Sequence, residues 1–367
     1  MYFTLQDIIN MKLVIGAKDQ ESKLLKQVID EFLNSDEYQD MQDGHNYYLC
    51  KHDILDEDFR IYYDKNRQQK TDLNKANNKI VHAAHRRMVI EKSSCLLNND
   101  VSITHESDTA KAEDLQKFLG RNWQQMLFNA STGASNKGIE WIHPYLDGED
   151  LKFMIMNSMG CIPIYETSRQ EKLVSMIRFY TMTNEDGNDF YKVEWYFENR
   201  IEYWEQDKKG NFYKEKQTGH INLVQETPDA KIQEADSWGI VPFIPVKNNP
   251  YNVTDLVPIK AVLDAIDRSK STFTNNLEDI QEVMLKVMGA GAEDPNEIRQ
   301  NFKKSKVVVV RGGMDGSKTD IGTIEVQIPH EARKIETDDL FRVLYAYGMG
   351  LNPFQEQMGN ATGVYLQ

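Results

Sequence analysis

Gly312 is followed six positions later by Lys318 and then Thr319, just after the β-branched run "KVVVVR". A glycine-rich loop with that ending cradles nucleotide phosphates, its lysine reaching the outer phosphates and its hydroxyl a magnesium ion. Two features oppose that chemistry here. Ser317 stands where the second glycine is needed, and "DIGTIEVQI" after Thr319 alternates like a strand, whereas the loop works by aiming a helix N-terminus at phosphate. An exposed hairpin loop is the better reading, and a nucleotide hydrolase using Lys318 and Thr319 is the alternative.

His82 and His85 are three apart on an expected helix, with Cys95 and His105 further on. No second tight pair of ligands accompanies them, so structural histidines are favoured over a metal site. No Ser/His/Asp or Cys/His grouping stands out. The sequence therefore assigns no catalytic, cofactor-binding or metal residue. A different cluster is chemically unusual: Glu278, Asp279 and Glu282 fall near the C-terminal end of a periodic segment, offset only by Lys286. A helix dipole prefers bases there. Such acids either form a solvated face or answer to something outside the chain that requires negative charge.

The element that must position those acids is long. Positions 256, 259, 263, 266, 270, 273, 277, 280, 284 and 287 are apolar except Lys270, alternating steps of three and four without a slip. The pattern predicts one helix from Asp255 to Met288, about 50 Å long at 1.5 Å per residue. Thr254 or Asp255 would cap it, with Pro258 in its first turn. Prolines 242, 245 and 250 predict an extended connector before it. After it, Asp294, Pro295 and Glu297 start a short helix, "KVVVVR" and "IGTIEVQI" read as strands, and Pro329 opens a returning helix.

Towards the N-terminus, Leu24, Leu25, Val28, Ile29, Phe32 and Leu33 share one helical stripe, as do Leu115, Phe118, Leu119, Met126 and Leu127. The segment beginning at Asn77 predicts a helix between them. From Gly138 the period becomes two, with an Asp147-Gly148 turn, which predicts an antiparallel meander whose aromatic residues pair across strands.

The 367 residues, 40% of them hydrophobic, suffice for a large core and two or three domains. Three scattered cysteines argue against a disulfide framework and read as reduced and buried. No apolar run reaches the eighteen or so residues that span a bilayer, and the N-terminus lacks a leader pattern, which places the chain in a cytoplasm. A net charge of -14 disfavours gripping nucleic acid through its phosphates.

Several segments resemble the portal proteins of tailed bacteriophages, of the siphophage type. "YYLCKHDIL" (47–55) is similar to the family's tyrosine pair followed by Gly-x-His and an aliphatic residue, with Cys50 in the glycine's place. "NNKIVHAAHRRMVIEKSSCLLNNDVSI" resembles an Asn-rich start leading to a helix and a Leu-Leu-Gly-x-Pro ending, with Asn98 and Asp100 replacing glycine and proline. "VPFIPVKNN" resembles the lead-in to a long stem helix. "GNATGVYLQ" resembles a tunnel loop, with Thr362 and Tyr365 where Ser and Ala are commoner.

The resemblance implies an α+β portal fold. A wing would cover residues 1–250, a stem helix 251–288, a small α/β clip insert 289–329, a second stem helix 330–350 and a tunnel-loop segment 351–367. Relatives continue past that loop into a crown, which this chain is expected to lack. The resemblance implies a non-enzymatic ring, commonly a dodecamer, at one capsid vertex of the virion, assembled in the host cytoplasm without cofactor or membrane. Implied partners are further copies of the chain, the major capsid and scaffolding proteins, the terminase large subunit, a head-tail adaptor and the double-stranded DNA that passes through.

On that reading Glu278, Asp279 and Glu282 line the DNA channel. Asn352, Gln355, Gln357, Asn360 and Thr362 belong to the tunnel loop, and Lys303, Lys304 and Lys306 offer the clip's contact with terminase or adaptor. An acidic wall suits a duplex that must slide, because unit charges 4 Å apart in water interact by about 1 kcal/mol and salt screens beyond about 8 Å. A coiled-coil scaffold or tail adaptor without a channel is a further alternative.

Overall fold

A computed structural model describes residues 2–15, 19–73, 75–99, 101, 104, 119–120, 122–148, 150–227, 230–280, 284–288, 320–324 and 330–352. In chain order the elements are β1 (Phe3–Thr4), α1 (Leu5–Ile15), α2 (Gln20–Leu33), α3 (Asp36–Tyr48), β2 (Ile61–Tyr63), β3 (Gln69–Thr71), α4 (Ala84–Leu96) and α5 (Trp123–Lys137). Strands β4 (Ile139–Asp147), β5 (Asp150–Met156), β6 (Cys161–Tyr165), β7 (Leu173–Thr183), β8 (Asp189–Phe197), β9 (Ile201–Gln206) and β10 (Phe212–Thr218) follow. Then come β11 (Ile221–Thr227), β12 (Ala230–Asp236), β13 (Ile244–Lys247), α6 (Lys260–Ile280), β14 (Met284–Met288), β15 (Asp320–Ile324) and α7 (His330–Tyr347). The fold is α+β and divides into two units, one of residues 1–52, 83–261 and 344–367, the other of residues 53–82 and 262–343.

In the larger unit a six-stranded sheet runs β1-β6-β7-β8-β9-β10. From β6 onward each strand pairs antiparallel with the next, as in the expected meander, but β4 and β5, which it was expected to include, pair with each other in a separate sheet; β1 joins the edge in parallel. The predicted α2 stripe meets this sheet: Leu24, Leu25, Val28, Ile29 and Phe32 join one core with Ile162, Met176, Ile177, Val193 and Trp195. The indole of Trp195 stays buried because its Nε1 donates to Ser175 Oγ at 2.6 Å, and that hydroxyl donates to Tyr196 O at 2.9 Å.

The proline-rich connector is partly a strand. β13 pairs with β4 at one edge of the sheet β13-β4-β5. Asn248 N–H donates to Gly138 O, and antiparallel pairs alternate between bonded and non-bonded, so Val246 and Ile244 face β4. Pro245 then points its missing N–H outward, the position where an edge strand tolerates proline.

Other expectations are corrected. The helix expected from Asn77 begins only at Ala84, because residues 76–82 are extended against another element. In α5 the expected Met126 and Leu127 are half-buried, whereas Ala130, Ala134, Ser135 and Asn136 are buried. Close packing by small residues, which a hydrophobic pattern does not register, decides that face: a Cβ on Gly44 of α3 would lie 1.9 Å from Asn136 O. Of the cysteines, Cys161 is buried as expected, but Cys50 is half-buried and Cys95 exposed. Of the expected helical stretch 108–130, residues 108–118 and 121 fall outside the described residues and the helix observed begins at Trp123; the short helix after Pro295 and the strand "KVVVVR" also lie outside them.

In the smaller unit the long helix is shorter than its periodicity predicts. α6 ends at Ile280, and Met284–Met288 is a strand paired antiparallel with Asp320–Ile324. A short run that is apolar but for Lys286 fits helix or strand equally. Here a β-branched partner strand supplies the ladder, and acids at the helix C-terminus disfavour its continuation.

Candidate functional site

The start of α6 is built by its own loop, within the larger unit. Asn248 donates from Nδ2 to Val253 O at 2.9 Å and to Asp255 Oδ1 at 2.8 Å. Asn249 accepts from the N–H groups of Tyr251 and Val253 at 3.0 and 3.1 Å. Lys92 of α4 reaches Asn248 Oδ1 at 2.5 Å and Asp255 Oδ2 at 2.8 Å. Asp255 therefore serves Lys92 rather than capping the helix, and the hydroxyl of Thr254, the other expected cap, has no hydrogen-bond partner.

The "YYLCKH" motif closes α3. Lys51 N–H donates to Asn46 O and Cys50 N–H to Tyr47 O, the paired bonds that terminate a helix through a left-handed residue. That residue is Cys50, at φ 59, which accounts for the glycine preferred at this place in the resembling family. His52 stacks on Tyr47 with ring centroids 4.1 Å apart, and Lys260 lies over the same tyrosine ring at 4.9 Å.

In the smaller unit the extended segment 76–82 lies along α6. The N–H groups of His82, Ile80, Asn78 and Ala76 donate to Asp267 Oδ1, Ser271 Oγ, Asn275 Oδ1 and Asp279 Oδ1, at 2.9, 2.8, 2.6 and 3.0 Å. Two periods match here: two extended residues advance about 6.6 Å and four helical residues about 6.0 Å, so alternate amides meet every fourth side chain. Two rungs are reinforced. Asn275 Nδ2 donates back to Asn78 O at 3.2 Å, and His82 Nδ1 lies 2.8 Å from Asp267 Oδ1. Asp267, Ser271 and Asn275 are 0%, 0% and 5% exposed.

Two predicted site residues belong to this row. Asp279 receives the last rung, and Glu278, exposed, accepts from Asn78 Nδ2 at 2.5 Å. Asn352 is half-buried. Glu282, Gln355, Gln357, Asn360, Thr362, Lys303, Lys304, Lys306, Lys318 and Thr319 lie outside the described residues. Immediately after Thr319 the chain is strand β15, not the helix N-terminus a phosphate loop needs. Sequence reasoning missed Asp267, Ser271 and Asn275, whose signal was a four-residue polar period within an amphipathic helix.

Histidines expected to be structural are so used. His82 sits in the row just described, and His85 is fully buried with Nε2 3.1 Å from Asn136 Oδ1. Burial lowers the His85 pKa to about 4. Nearby in the sequence, Lys137 and Glu140 form a buried pair at 2.5 Å, with Lys137 also donating to Asn157 Oδ1 at 3.0 Å and Ser158 N–H donating to Glu140 Oε1 at 2.9 Å. Burial raises the Glu140 carboxyl while Lys137 opposes it. Among the described residues no group of acids, histidines and cysteines is arranged to hold a metal ion, and no helix is long and apolar enough to cross a membrane.

The chain is similar to known proteins over nearly all its length. The family model "Phage portal protein, SPP1 Gp6-like" matches residues 27–367. The portal protein of Clostridium phage phiCD119 is 29% identical over 345 residues, covering 90% of this chain and 72% of that protein. The portal protein of Bacillus phage SPP1 is 27% identical over 364 residues, covering 98% of this chain and 70% of that protein. A solved chain from the "Neck of native GTA particle computed with C12 symmetry" aligns with 72% of this chain and 63% of its own length, at a TM-score of 0.34 and 8% identity. Matched from residue 27 to its last residue, the chain belongs to the SPP1 Gp6-like family of phage portal proteins.

Proposed function

We propose that this chain is one subunit of a dodecameric ring at a unique capsid vertex, through which double-stranded DNA enters during packaging and leaves at ejection. The family match over residues 27–367 carries the reading. The role is that of a structural portal component of the virion. The ring closes through contacts between copies, with assembly in the host cytoplasm alongside major capsid and scaffolding proteins.

Finer assignments rest on chemistry. Exposed Glu278 and Asp279 put acids at the end of α6, Glu282 follows them in the sequence, and acids let a polyanion slide where lysines would hold it. Lys303, Lys304 and Lys306 supply a compact positive cluster for the terminase large subunit or a head-tail adaptor. Asn352, Gln355, Gln357, Asn360 and Thr362 make a polar segment suited to passing contact with DNA. The chain itself catalyses nothing, the energy coming from a partner ATPase.

Class averages of the purified full chain, viewed down the particle axis by electron microscopy, test the reading. Closed rings with a central hole of duplex width are expected; fibres, dimers or solid bundles would overturn it. ATP turnover lost in Lys318→Ala would favour the hydrolase instead. Deleting residues 352–363 should leave rings intact and lower DNA retention, and unaltered packaging would count against a tunnel-loop role.

A further inference from the structure

We propose that residues 76–82 are a releasable strap, which detaches from α6 as one piece and uncovers the acceptor row while the helix stays folded. Its attachment is unusual: each rung ends on a helix side chain, so release breaks no bond of the helix ladder. Its other ties are few: Ile80 and Val81 are only half-buried, the His82 ring lies edge-on to Phe341 with centroids 5.6 Å apart, Phe59 N–H donates to Asn77 Oδ1 at 3.0 Å and Lys79 Nζ donates to Leu55 O. None of residues 75–82 is fully buried, while the groups they cover, Asp267, Ser271 and Asn275, are. Those groups are polar, and water can replace a strap amide at each of them, so uncovering them exchanges hydrogen bonds rather than exposing a core.

Redocking has one favoured register. The row by itself would accept a slip of two strap residues against four helix residues. Asn275 prevents that by holding both the N–H and the C=O of Asn78, and Glu278 holds the Asn78 side chain, at 2.5 Å. His82 marks the other end through its ring contact with Asp267. Release breaks the strap's bonds to Asp267, Asp279 and Glu278, which changes the charge the helix presents. Release of the strap is a property of the folded subunit, whether or not those acids face DNA.

Native-state hydrogen exchange on the assembled full chain tests it. The amides of residues 76, 78, 80 and 82 should exchange together, about tenfold or more faster than those of residues 263–275 in α6. Ser271→Ala should speed the strap amides further and leave the helix amides unchanged. An Ile80→Cys/Ser271→Cys disulfide, made with Cys95→Ser, should slow the strap to the helix rate, and it provides the decisive comparison if Ser271→Ala loses helix content. One common exchange rate for strap and helix in the unmodified protein, or no response to the disulfide, would overturn the proposal.

Discussion

Asn275 holds Asn78 by both halves of its carboxamide: Oδ1 accepts the Asn78 N–H at 2.6 Å and Nδ2 donates to the Asn78 C=O at 3.2 Å. One side chain thus does what a neighbouring strand does for a residue in a sheet. Asn275→Ala removes both bonds, and because Asn78 is half-buried water can take their place in part, so the cost is about 0.5–1.5 kcal/mol, less the few tenths that alanine returns to the helix. Denaturant midpoints should fall accordingly, with far-UV helix signal retained.

Cys50 occupies a left-handed backbone, φ 59, at the end of α3. A Cβ there costs about 1–2 kcal/mol, and glycine escapes that cost while adding freedom to the unfolded chain. Cys50→Gly should raise stability by about 0.5–1 kcal/mol, seen as a higher midpoint in thermal unfolding. Cys50→Val, β-branched, should lower it.

His85 is held neutral in the folded protein, its pKa lowered by burial from the ordinary 6.5 to about 4. A depressed histidine means that the unfolded chain binds a proton first as pH falls. Its contribution is therefore complete above about pH 6.5 and is lost progressively down to about pH 4, amounting to about 3 kcal/mol. His143, also lowered by burial, acts in the same direction. Denaturant midpoints at a series of pH values should show this decline, and His85→Gln should flatten it.

The Lys137–Glu140 pair is buried, at 7% and 2% exposure. Removing the lysine alone strands a carboxylate in a dry site, so Lys137→Met should cost about 3–5 kcal/mol. Lys137→Met/Glu140→Gln should recover much of that loss, since no charge is left unpaired. Thermal unfolding of the single and double variants makes the comparison, and a double variant no better than the single one would show that packing, not charge, sets the cost.

What could be read from the sequence divides along physical lines. The α2 stripe and the meander were legible because burial of one face imposes a period, and Leu24 to Phe32 or Met176 to Trp195 display it. The end of α6 was not, since "MLKVM" satisfies helix and strand alike and its partner lies over thirty residues away. Glu278 and Asp279 were singled out for their charge, and both proved to be bonded to residues 76 and 78. The extended course of 76–82 was hidden because its partners are polar side chains on α6, which no hydrophobic pattern reports. Small residues misled similarly: Gly44 lets the backbone of α3 approach that of α5 at Asn136.

Pro245 has a consequence for a protein made in many identical copies. An open sheet border is a template on which a newly made chain can grow ribbons with its siblings. With the outward amide absent at 245 and only Lys247 left to offer one, that border recruits poorly. Copies of the chain are thus steered away from stacking edge to edge, and association is left to other surfaces.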